Sequence, residues 1–361
     1  MKFSPPSPAH LLVALLSLGL AGCAPPDDIL RIVVIPKGLT HEFWQSIQRG
    51  AEQAAADLTA QGTPTRIIWD GPLRERDALA QIRIVDRHVS TQVAGIVLAP
   101  QHSQTLTAPV QRAVEQGVPV VIIDSGIARP ELALKYVATD NYQGGRLSAR
   151  HLLRVLREKD GKAVPRLVLF RYQVGSESTE RREQGFEDEV NDFIREHQLD
   201  PQAVWLSKDQ YASATKDSAM KAAAPLVNRL RDRIDGIFAP NESSASGMLE
   251  TLRSLGLNGQ VRLMGFDTSD PLLQGIEAGD LDGVIAQDPY RMGYLGVWTL
   301  ARYLKGDDVN AGGTQRNLGT GEYVITRDNL HQPEIQALIR PELQRARQLE
   351  PPVFPRKTAT P

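Results

Sequence analysis

Short apolar runs alternate along this chain with segments whose apolar residues recur at helical spacing, and this rhythm constrains the fold most strongly. Leu30–Ile35 and Pro119–Asp124 carry apolar residues on consecutive positions, which is typical of parallel strands buried on both faces. Glu242–Leu255 instead carries its apolar residues on one helical stripe. The alternation predicts right-handed strand–helix–strand units, and hence an α/β fold with doubly wound parallel sheets.

The predicted strands are too numerous for one modest sheet. They are, in chain order, Leu30–Ile35, Arg66–Trp69, Gly95–Ala99, Pro119–Asp124, Tyr136–Thr139, Leu167–Tyr172, Val204–Leu206, Gly236–Ala239, Val261–Phe266 and Val284–Ala286. Helical patterns lie between them. Two similar α/β lobes are the simplest division, and 361 residues are enough for two ordinary domains after an N-terminal segment is removed.

Polar residues stand shortly after several of the predicted strands. They are Lys37, His41, Asp124, Ser125, Asp140, Asn141, Asn241, Asp267 and Gln287. In open α/β sheets, ligands bind beyond the carboxyl ends of the strands. We therefore expect the functional residues of this chain to be found within this set.

The only cysteine, Cys23, closes the N-terminal segment. A charged start precedes an apolar run over Leu11–Leu20, which is shorter than the roughly 20 apolar residues of a membrane-spanning helix. This order predicts a cleaved export signal over residues 1–22. Leu20–Cys23 resembles a bacterial lipobox, which implies lipid on Cys23 and a tether to the membrane over 23–28. An ordinary export signal that happens to contain a cysteine is the alternative.

Composition and motif content exclude several function classes. A net charge of −2 gives no indication of a strongly basic surface, so we expect no nucleic-acid partner. Lipid on the single cysteine would leave no thiol for disulfides or a metal. The chain has no G-x-S-x-G elbow, Walker lysine loop or G-x-G-x-x-G, and its seven histidines lack metal spacing. We therefore expect no enzyme activity, catalytic residue, cofactor or metal. A glycosidase using Asp124 and Asp267 is the alternative.

Seven segments, most of them at strand ends, share their residue pattern with one family. They are Ile35–Trp44, Val120–Ser125, Ala138–Gly145, Gly175–Phe186, Phe238–Glu242, Gly265–Asp267 and Ala286–Tyr290. These segments resemble those of the ribose-type periplasmic sugar-binding proteins, the substrate-binding components of bacterial ABC importers. The resemblance implies two lobes that close on a ligand, joined by three crossovers near Asp140, Gln287 and Gly319.

The implied lobes are discontinuous in sequence. Residues 29–139 with 288–318 form the N-terminal lobe, and residues 140–287 with 319–348 form the C-terminal lobe. Prolines and low apolar content predict a disordered tail over 349–361.

The resemblance also implies a set of ligand-binding residues. They are Lys37, His41, Phe43, Trp44, Asp124, Ser125, Arg182, Asn241, Asp267 and Gln287, with Asp140 and Asn141 at the hinge. These residue types suit a sugar, because carboxylates accept from hydroxyls, arginine donates from a rigid fork, amides do both, and aromatic rings pack on the apolar sugar face. Each buried polar group left unpaired would cost about 1–3 kcal/mol.

Most of these residues also have a purely structural interpretation. Asp140 suits a helix cap, and one of Phe43 and Trp44 suits the core. Arg182, with its neighbour Arg181, suits a solvated helix face. Three further residues suit turns after their strands: Asn241, Asp267 and Gln287.

The chain departs from the ribose-type pattern at three positions. Ser125 stands where the family often has arginine, Lys37 where a small polar residue is usual, and His41 where asparagine is common. One hypothesis is that the ligand is not ribose and that Lys37 meets an acidic or differently oriented group. The alternative is that Lys37 pairs with Asp124 or Asp267.

Together these features predict a lipid-anchored, extracytoplasmic protein that captures a sugar and delivers it to the permease of an ABC importer. We expect a monomer in the cell envelope, in the periplasm or on the outer leaflet side of a membrane. The expected mechanism is hinge closure of two lobes around the ligand. A sugar-sensing module for a membrane histidine kinase or chemoreceptor is the alternative.

Overall fold

The computed structural model describes residues 29–311, 317–340, 343 and 349–357. The predicted signal peptide over 1–22, the tether over 23–28 and the predicted lipidation site Cys23 lie outside the described residues. Among the helices within them, none combines the length and the apolar content that a bilayer-crossing segment needs.

Twelve strands occur in the described residues and form two six-stranded sheets. They are β1 (Leu30–Ile35), β2 (Thr65–Trp69), β3 (Gly95–Leu98), β4 (Val120–Ile123), β5 (Tyr136–Ala138), β6 (Leu167–Arg171), β7 (Trp205–Tyr211), β8 (Gly236–Phe238), β9 (Arg262–Phe266), β10 (Gly283–Ala286), β11 (Asn317–Gly319) and β12 (Tyr323–Ile325). The first sheet has the order β11-β5-β4-β3-β1-β2, and the second has the matching order β12-β10-β9-β8-β6-β7. Every neighbouring pair is parallel except β10 and β12.

Eleven α-helices accompany these strands in the same part of the chain. They are α1 (Glu42–Ala60), α2 (Ala78–Ser90), α3 (Thr107–Glu115), α4 (Asn141–Glu158), α5 (Glu177–Glu196), α6 (Pro201–Val204), α7 (Lys216–Leu230), α8 (Glu242–Ser254), α9 (Asp270–Ala278), α10 (Pro289–Leu304) and α11 (Pro333–Ile339). A short 3-10 turn spans Pro130–Leu132.

Helices cover both faces of each sheet, which is why consecutive strand residues are apolar. In the N-terminal lobe, which holds the first sheet, α1 and α10 pack on one face and α2 and α3 on the other. In the C-terminal lobe, α4 and α5 pack on one face of the second sheet and α7, α8 and α9 on the other. All four residues of β4 are at most 1% exposed. The predicted fold of two doubly wound parallel-sheet lobes is confirmed.

The chain passes between the lobes three times. After β5 it enters the C-terminal lobe as α4, and after β10 it returns to the N-terminal lobe as α10. The third passage joins β11 to β12 across residues 320–322. Each lobe therefore packs a helix that comes directly from a strand of the other lobe.

Two helix pairs approach so closely that only glycine fits at the contact. A Cβ on Gly50 of α1 would lie 1.9 Å from the carbonyl oxygen of Tyr290 in α10. A Cβ on Gly145 of α4 would lie 2.0 Å from the carbonyl oxygen of Arg182 in α5. These backbone contacts fix the helices whose first turns border the cleft between the lobes.

The chain's end differs from its prediction. The predicted tail over 349–361 is not free in its described part, because Leu349 and Phe354 pack on the core of the N-terminal lobe. The Asp308 N–H also donates to the carbonyl of Pro355 at 2.7 Å. Proline content predicts disorder here, but the apolar side chains of Leu349 and Phe354 are buried against the lobe instead.

Candidate ligand-binding site

The carboxyl ends of the two sheets face each other across a cavity of about 40 Å³. Nine of the ten predicted binding residues line it: Lys37, His41, Phe43, Trp44, Asp124, Arg182, Asn241, Asp267 and Gln287. Ser125 is not among the lining residues; its Oγ accepts a hydrogen bond from the N–H of Ser178 at 3.1 Å. Ser125 therefore joins the lobes through the start of α5.

Two aspartates occupy equivalent places in the two lobes. Asp124 follows β4 with a φ of 62°, and Asp267 follows β9 with a φ of 70°. Left-handed backbone is uncommon for residues other than glycine, although aspartate tolerates it better than most. The N–H of Asp124 still bonds the carbonyl of Val137, and that of Asp267 bonds the carbonyl of Ile285. Each strand thus keeps its pairing with the next strand, while the aspartate that follows it turns toward the cavity.

Lys37 is paired inside the protein. Its Nζ lies 2.7 Å from Oδ2 of Asp124 and donates to Oγ of Ser178 in the C-terminal lobe at 3.1 Å. Both charged side chains are buried. This is the pairing with Asp124 that the sequence analysis gave as the alternative to an acidic ligand group. The ammonium group of Lys37 already has an anionic partner within the protein.

Arg182 projects from α5 and is fixed by groups from several segments. Its Nε donates to Oδ1 of Asn141 at 2.8 Å, and its Nη1 donates to the carbonyl of Pro240 at 3.0 Å. Oδ2 of Asp267 lies 3.8 Å from Nη1, and the guanidinium stacks over the ring of Phe266 at 3.8 Å. The guanidinium is therefore buried, oriented and part of the cavity wall, rather than solvated on a helix face.

The two residues predicted at the hinge lie at the first crossover. The Asp140 side chain accepts from the N–H of Gln143 at 2.9 Å, so Asp140 is the N-cap of α4. Asn141 is the first residue of that helix, and its Oδ1 accepts the hydrogen bond from Nε of Arg182. Asn141 thus acts on the cavity through the guanidinium that it orients.

Asp267 is surrounded by donors. Nε2 of Gln287 donates to its Oδ1 at 2.6 Å, and the N–H of Glu242 donates to its Oδ2 at 3.0 Å. Burial raises the pKa of Asp267, while the positive charge of Arg182 and these donors oppose the shift. The carboxylate is held in one orientation at the cavity.

Phe43 and Trp44 form an edge-to-face pair with ring centroids 4.9 Å apart and planes at 89°. Trp44 is 3% exposed and belongs to the core of the N-terminal lobe, and Phe43 packs against the same core. Both rings also line the cavity, so the core interpretation and the site interpretation hold together.

An acidic cluster that we did not predict borders the cavity. Nδ1 of His41 lies 3.3 Å from Oε1 of Glu75 and 3.6 Å from Oε2 of Glu242. Burial, with the negative charges of Asp267 and Glu75, raises the pKa of Glu242 to about 7, while His41 opposes the shift. Glu242 therefore binds a proton more tightly than an ordinary glutamate does.

Asn241 and Gln287 offer amides to the cavity. Oδ1 of Asn241 accepts from the N–H of Ser244 at 3.2 Å and so caps α8, as its turn interpretation predicts. Within the described part of the chain, Oε1 of Gln287 and Oγ of Ser176 are buried without a hydrogen-bond partner. Both atoms can accept from a ligand that donates.

Six residues line the cavity without having been predicted: Glu75, Tyr172, Ser176, Ser178, Thr179 and Glu242. Glu75 lies in the loop after β2, and Tyr172 directly follows β6. The rule that points to residues after strands could have found both. Among the described residues, no group of three or more His, Cys, Asp or Glu side chains is arranged to hold a metal ion.

The family described as periplasmic binding protein domain matches residues 32–308. The chain belongs to this family. Among curated relatives of this periplasmic binding protein, the D-ribose/D-allose-binding protein of Pseudomonas aeruginosa is 24% identical over 281 residues, which cover 76% of this chain and 82% of the relative. The D-allose-binding periplasmic protein of Escherichia coli is 25% identical over 270 residues, 73% of this chain and 81% of the relative. The resemblance to the ribose-type periplasmic sugar-binding proteins is confirmed.

Solved structures agree with this assignment. The carbohydrate transporter solute-binding protein of Agrobacterium radiobacter, in complex with D-arabinose, has a TM-score of 0.77 and 30% identity, covering 86% of this chain and 99% of that one. An ABC transporter solute-binding protein of Agrobacterium vitis with bound D-fucose has a TM-score of 0.74 and 28% identity, with the same coverage. These relatives are solute-binding proteins of transporters, not enzymes.

Proposed function

We propose that the cleft binds one sugar ring between the lobes and that the loaded protein delivers it to an ABC importer. The observation that carries the proposal is the convergence of polar side chains from both lobes on one cavity. Asp124 comes from the N-terminal lobe, and Arg182 and Asp267 come from the C-terminal lobe. The named relatives bind D-ribose, D-allose, D-arabinose or D-fucose, which are all monosaccharides.

The charges of the site favour a ligand without negative charge. Lys37 is already paired with Asp124, and Arg182 is already bonded to Asn141 and the carbonyl of Pro240. The buried polar atoms without partners, Oε1 of Gln287 and Oγ of Ser176, can accept from hydroxyl groups. A sugar acid would bring a carboxylate to a site already rich in carboxylates, and like charges repel.

The site is small. Its cavity of about 40 Å³ leaves no room for an oligosaccharide. Asp124 is paired with Lys37, and Asp267 accepts a hydrogen bond from Gln287. Carboxylates held in this way are better suited to accept hydrogen bonds from a ligand than to act as the acid–base pair of a glycosidase. We propose that the protein binds its sugar and does not catalyse a reaction on it.

A thermal-shift titration tests the binding proposal. We suggest the full chain carrying Cys23→Ser, with D-ribose, D-allose, D-arabinose, D-fucose and D-galacturonate as ligands. A ligand at a hundredfold excess over its Kd should add about 2.7 kcal/mol of stability. We expect a shift with at least one neutral sugar and none with D-galacturonate.

Arginine variants give this titration a matched control. Arg182→Gln should abolish the shift, because it removes the fork that faces the cavity. Arg150→Gln should retain it, because Arg150 pairs with Glu189 on the surface of the same lobe. The proposal fails if no neutral monosaccharide gives a shift, or if Arg182→Gln keeps the full shift.

We further propose that the protein is a monomer anchored by lipid on Cys23 at the outer face of a cell-envelope membrane. The predicted export signal and lipobox support this localisation. Cell fractionation tests it: the unaltered protein should sediment with membranes, and Cys23→Ser should be released in soluble form. Equal membrane association of both would contradict the anchor.

A further inference from the structure

The charged side chains of the cavity wall do not balance. Two cations and two aspartates offset each other, because Nζ of Lys37 lies 2.7 Å from Oδ2 of Asp124 and Nη1 of Arg182 lies 3.8 Å from Oδ2 of Asp267. Two glutamates line the same cavity. Among the described residues, neither glutamate has a lysine or arginine partner. The wall therefore carries more negative than positive charge.

The two glutamates, Glu75 and Glu242, lie on either side of His41. Nδ1 of His41 is 3.3 Å from Oε1 of Glu75 and 3.6 Å from Oε2 of Glu242. A protonated imidazole offsets one of the two charges, and a neutral imidazole offsets neither. When both glutamates are ionised, at least one negative charge remains on this side of the cavity.

Glu75 is a fixed acceptor. Its Oε1 accepts from Nε1 of Trp44 at 2.6 Å, and its Oε2 accepts from the hydroxyl of Tyr172 at 2.8 Å. All three side chains are buried. An ionised carboxylate has about four lone-pair sites, so Glu75 can accept from a further donor while these two bonds hold it in place.

Glu242 is less well satisfied. It is the half-buried first residue of α8, and among the described residues no donor makes a hydrogen bond to its carboxylate. Burial, with the negative charges of Asp267 and Glu75, raises its pKa to about 7. Its ionised form is therefore penalised by its surroundings, and a cation beside it would relieve that penalty.

Two further atoms of the wall also call for donors. Oε1 of Gln287 and Oγ of Ser176 are buried and have no hydrogen-bond partner in the described part of the chain, and both residues line this cavity. Hydroxyl groups suit these two atoms. An ammonium group suits the glutamates, because it carries a positive charge and three donors but no acceptor. A sugar with one amino group combines both on a single ring.

We propose that the cleft prefers an amino sugar, whose ammonium group lies against Glu75 and Glu242 while its hydroxyls meet the rest of the wall. This inference rests on the proposed function and names the class of sugar. Hydrogen bonds between ionised partners are about twice as strong as those between neutral ones. We therefore expect an amino sugar to bind about tenfold more tightly than the neutral sugar from which it derives.

Calorimetric titration at pH 7 tests the preference on the full chain carrying Cys23→Ser. The ligands are D-glucosamine, D-galactosamine, 3-amino-3-deoxy-D-glucose and 6-amino-6-deoxy-D-glucose, each compared with its parent, D-glucose or D-galactose. These four place the amine at different positions of the ring. At least one should bind about tenfold more tightly than its parent. Ammonium chloride at the same concentration controls for the cation alone and should give no binding heat.

Two glutamate variants locate the effect. Glu242→Gln keeps the shape of the side chain and removes its charge, so the preference for the amine should fall to about twofold. Glu42→Gln is the matched control, because Glu42 is an exposed residue of α1 that does not line the cavity. It removes the same charge close by and should keep the preference of the unaltered protein.

Two results would overturn the inference. One is a panel in which no amino sugar binds more tightly than its parent. The other is an equal loss of preference in Glu242→Gln and Glu42→Gln, since long-range attraction would then explain it without a contact in the cavity. Neither result bears on whether D-ribose, D-allose, D-arabinose or D-fucose shifts the melting temperature. Failure of the amino-sugar preference is thus distinguishable from failure of the proposed function.

Discussion

The two lobes have matching frameworks and present different chemistry to the cleft. Each sheet has the same strand order, and in each lobe the fourth strand ends in an aspartate with positive φ. In the N-terminal lobe that aspartate, Asp124, pairs with the ammonium of Lys37. In the C-terminal lobe its counterpart Asp267 is bonded mainly by an amide and a backbone N–H. The framework fixes where a side chain lies, and the residue types at the strand ends fix what each lobe can bind.

The largest expected difference between the lobes concerns these aspartates. Asp124→Asn should destabilise the protein by about 4 kcal/mol, because it leaves the buried ammonium of Lys37 without its counter-charge. Asp267→Asn should cost about 1 kcal/mol, since Arg182 keeps its other two acceptors. Asparagine tolerates the left-handed backbone at both positions. Urea unfolding measures both changes.

A double-mutant cycle separates the ion pair from other effects. Lys37→Met combined with Asp124→Asn should lose clearly less stability than the sum of the two single changes, because neither leaves a partner charge behind. Equal losses from Asp124→Asn and Asp267→Asn, or strict additivity in the cycle, would remove the distinction between the lobes.

Replacing a glycine at the close helix–helix contacts should lower the free energy of unfolding by a similar amount in both lobes. A Cβ at Gly185 would lie 2.0 Å from the carbonyl of Tyr142, and a Cβ at Gly293 would lie 2.0 Å from that of Ile47. Gly185→Ala and Gly293→Ala should each destabilise by about 3 kcal/mol in urea unfolding, because backbone must move. Gly319→Ala is the control, since its Cβ would meet nothing within 4 Å. A large loss in only one lobe would show that the contacts are not equivalent.

Much of this framework could be predicted from the sequence, because buried parallel strands leave a strong apolar pattern. The last two strands, β11 and β12, were not predicted from the residue pattern, since most of their residues are exposed or half-buried and leave no buried apolar run. The strand predicted at Val204–Leu206 extends to Tyr211, because its polar residues lie at the sheet edge, where burial is weak. In both cases the strands form by pairing with neighbouring strands of the sheet and not through a local apolar pattern.

The site was only partly predictable for a different physical reason. Residues after strands, such as Asp267 and Gln287, were found because topology places strand ends together. Glu75 also lies after a strand, but its contact with Tyr172, 97 residues away in the other lobe, could not be predicted from the sequence. No local pattern reports a contact that exists only when two lobes close.

Stability should rise as the pH falls from 8 to 6, with Glu242 as one cause. Its pKa is about 7 in the folded protein, against an ordinary value of 4.5, so the folded state binds the proton more tightly. This contribution is fully present below pH 4.5 and is lost as the pH rises through 7. The change between pH 8 and pH 6 should be about 1 kcal/mol.

Glu242→Gln should flatten this part of the pH profile, measured by urea unfolding at several pH values. Glu115→Gln changes an exposed glutamate of α3 and should leave the profile as it was. The charged groups nearest Glu242 are His41, Asp267, Glu75 and Glu42. An unchanged profile in Glu242→Gln would assign the dependence to those neighbours.

The smallest expected effects come from the helix caps. Asp140→Ala and Asn241→Ala should each cost about 1 kcal/mol, because each removes an acceptor for a backbone N–H at a helix start. Only Asn241 also lines the cavity. Asn241→Ala should therefore weaken sugar binding as well, whereas Asp140→Ala should change the Kd less than twofold. Equal effects on binding would argue against a ligand contact at Asn241.

Calorimetric titration of the neutral sugar that gives the largest thermal shift tests the central claim most directly. A ligand held between the lobes should bind one to one, and its Kd should rise at least tenfold both in Phe43→Ala, from the N-terminal lobe, and in Arg182→Gln, from the C-terminal lobe. Binding that survives either substitution unchanged would contradict a site shared by the two lobes.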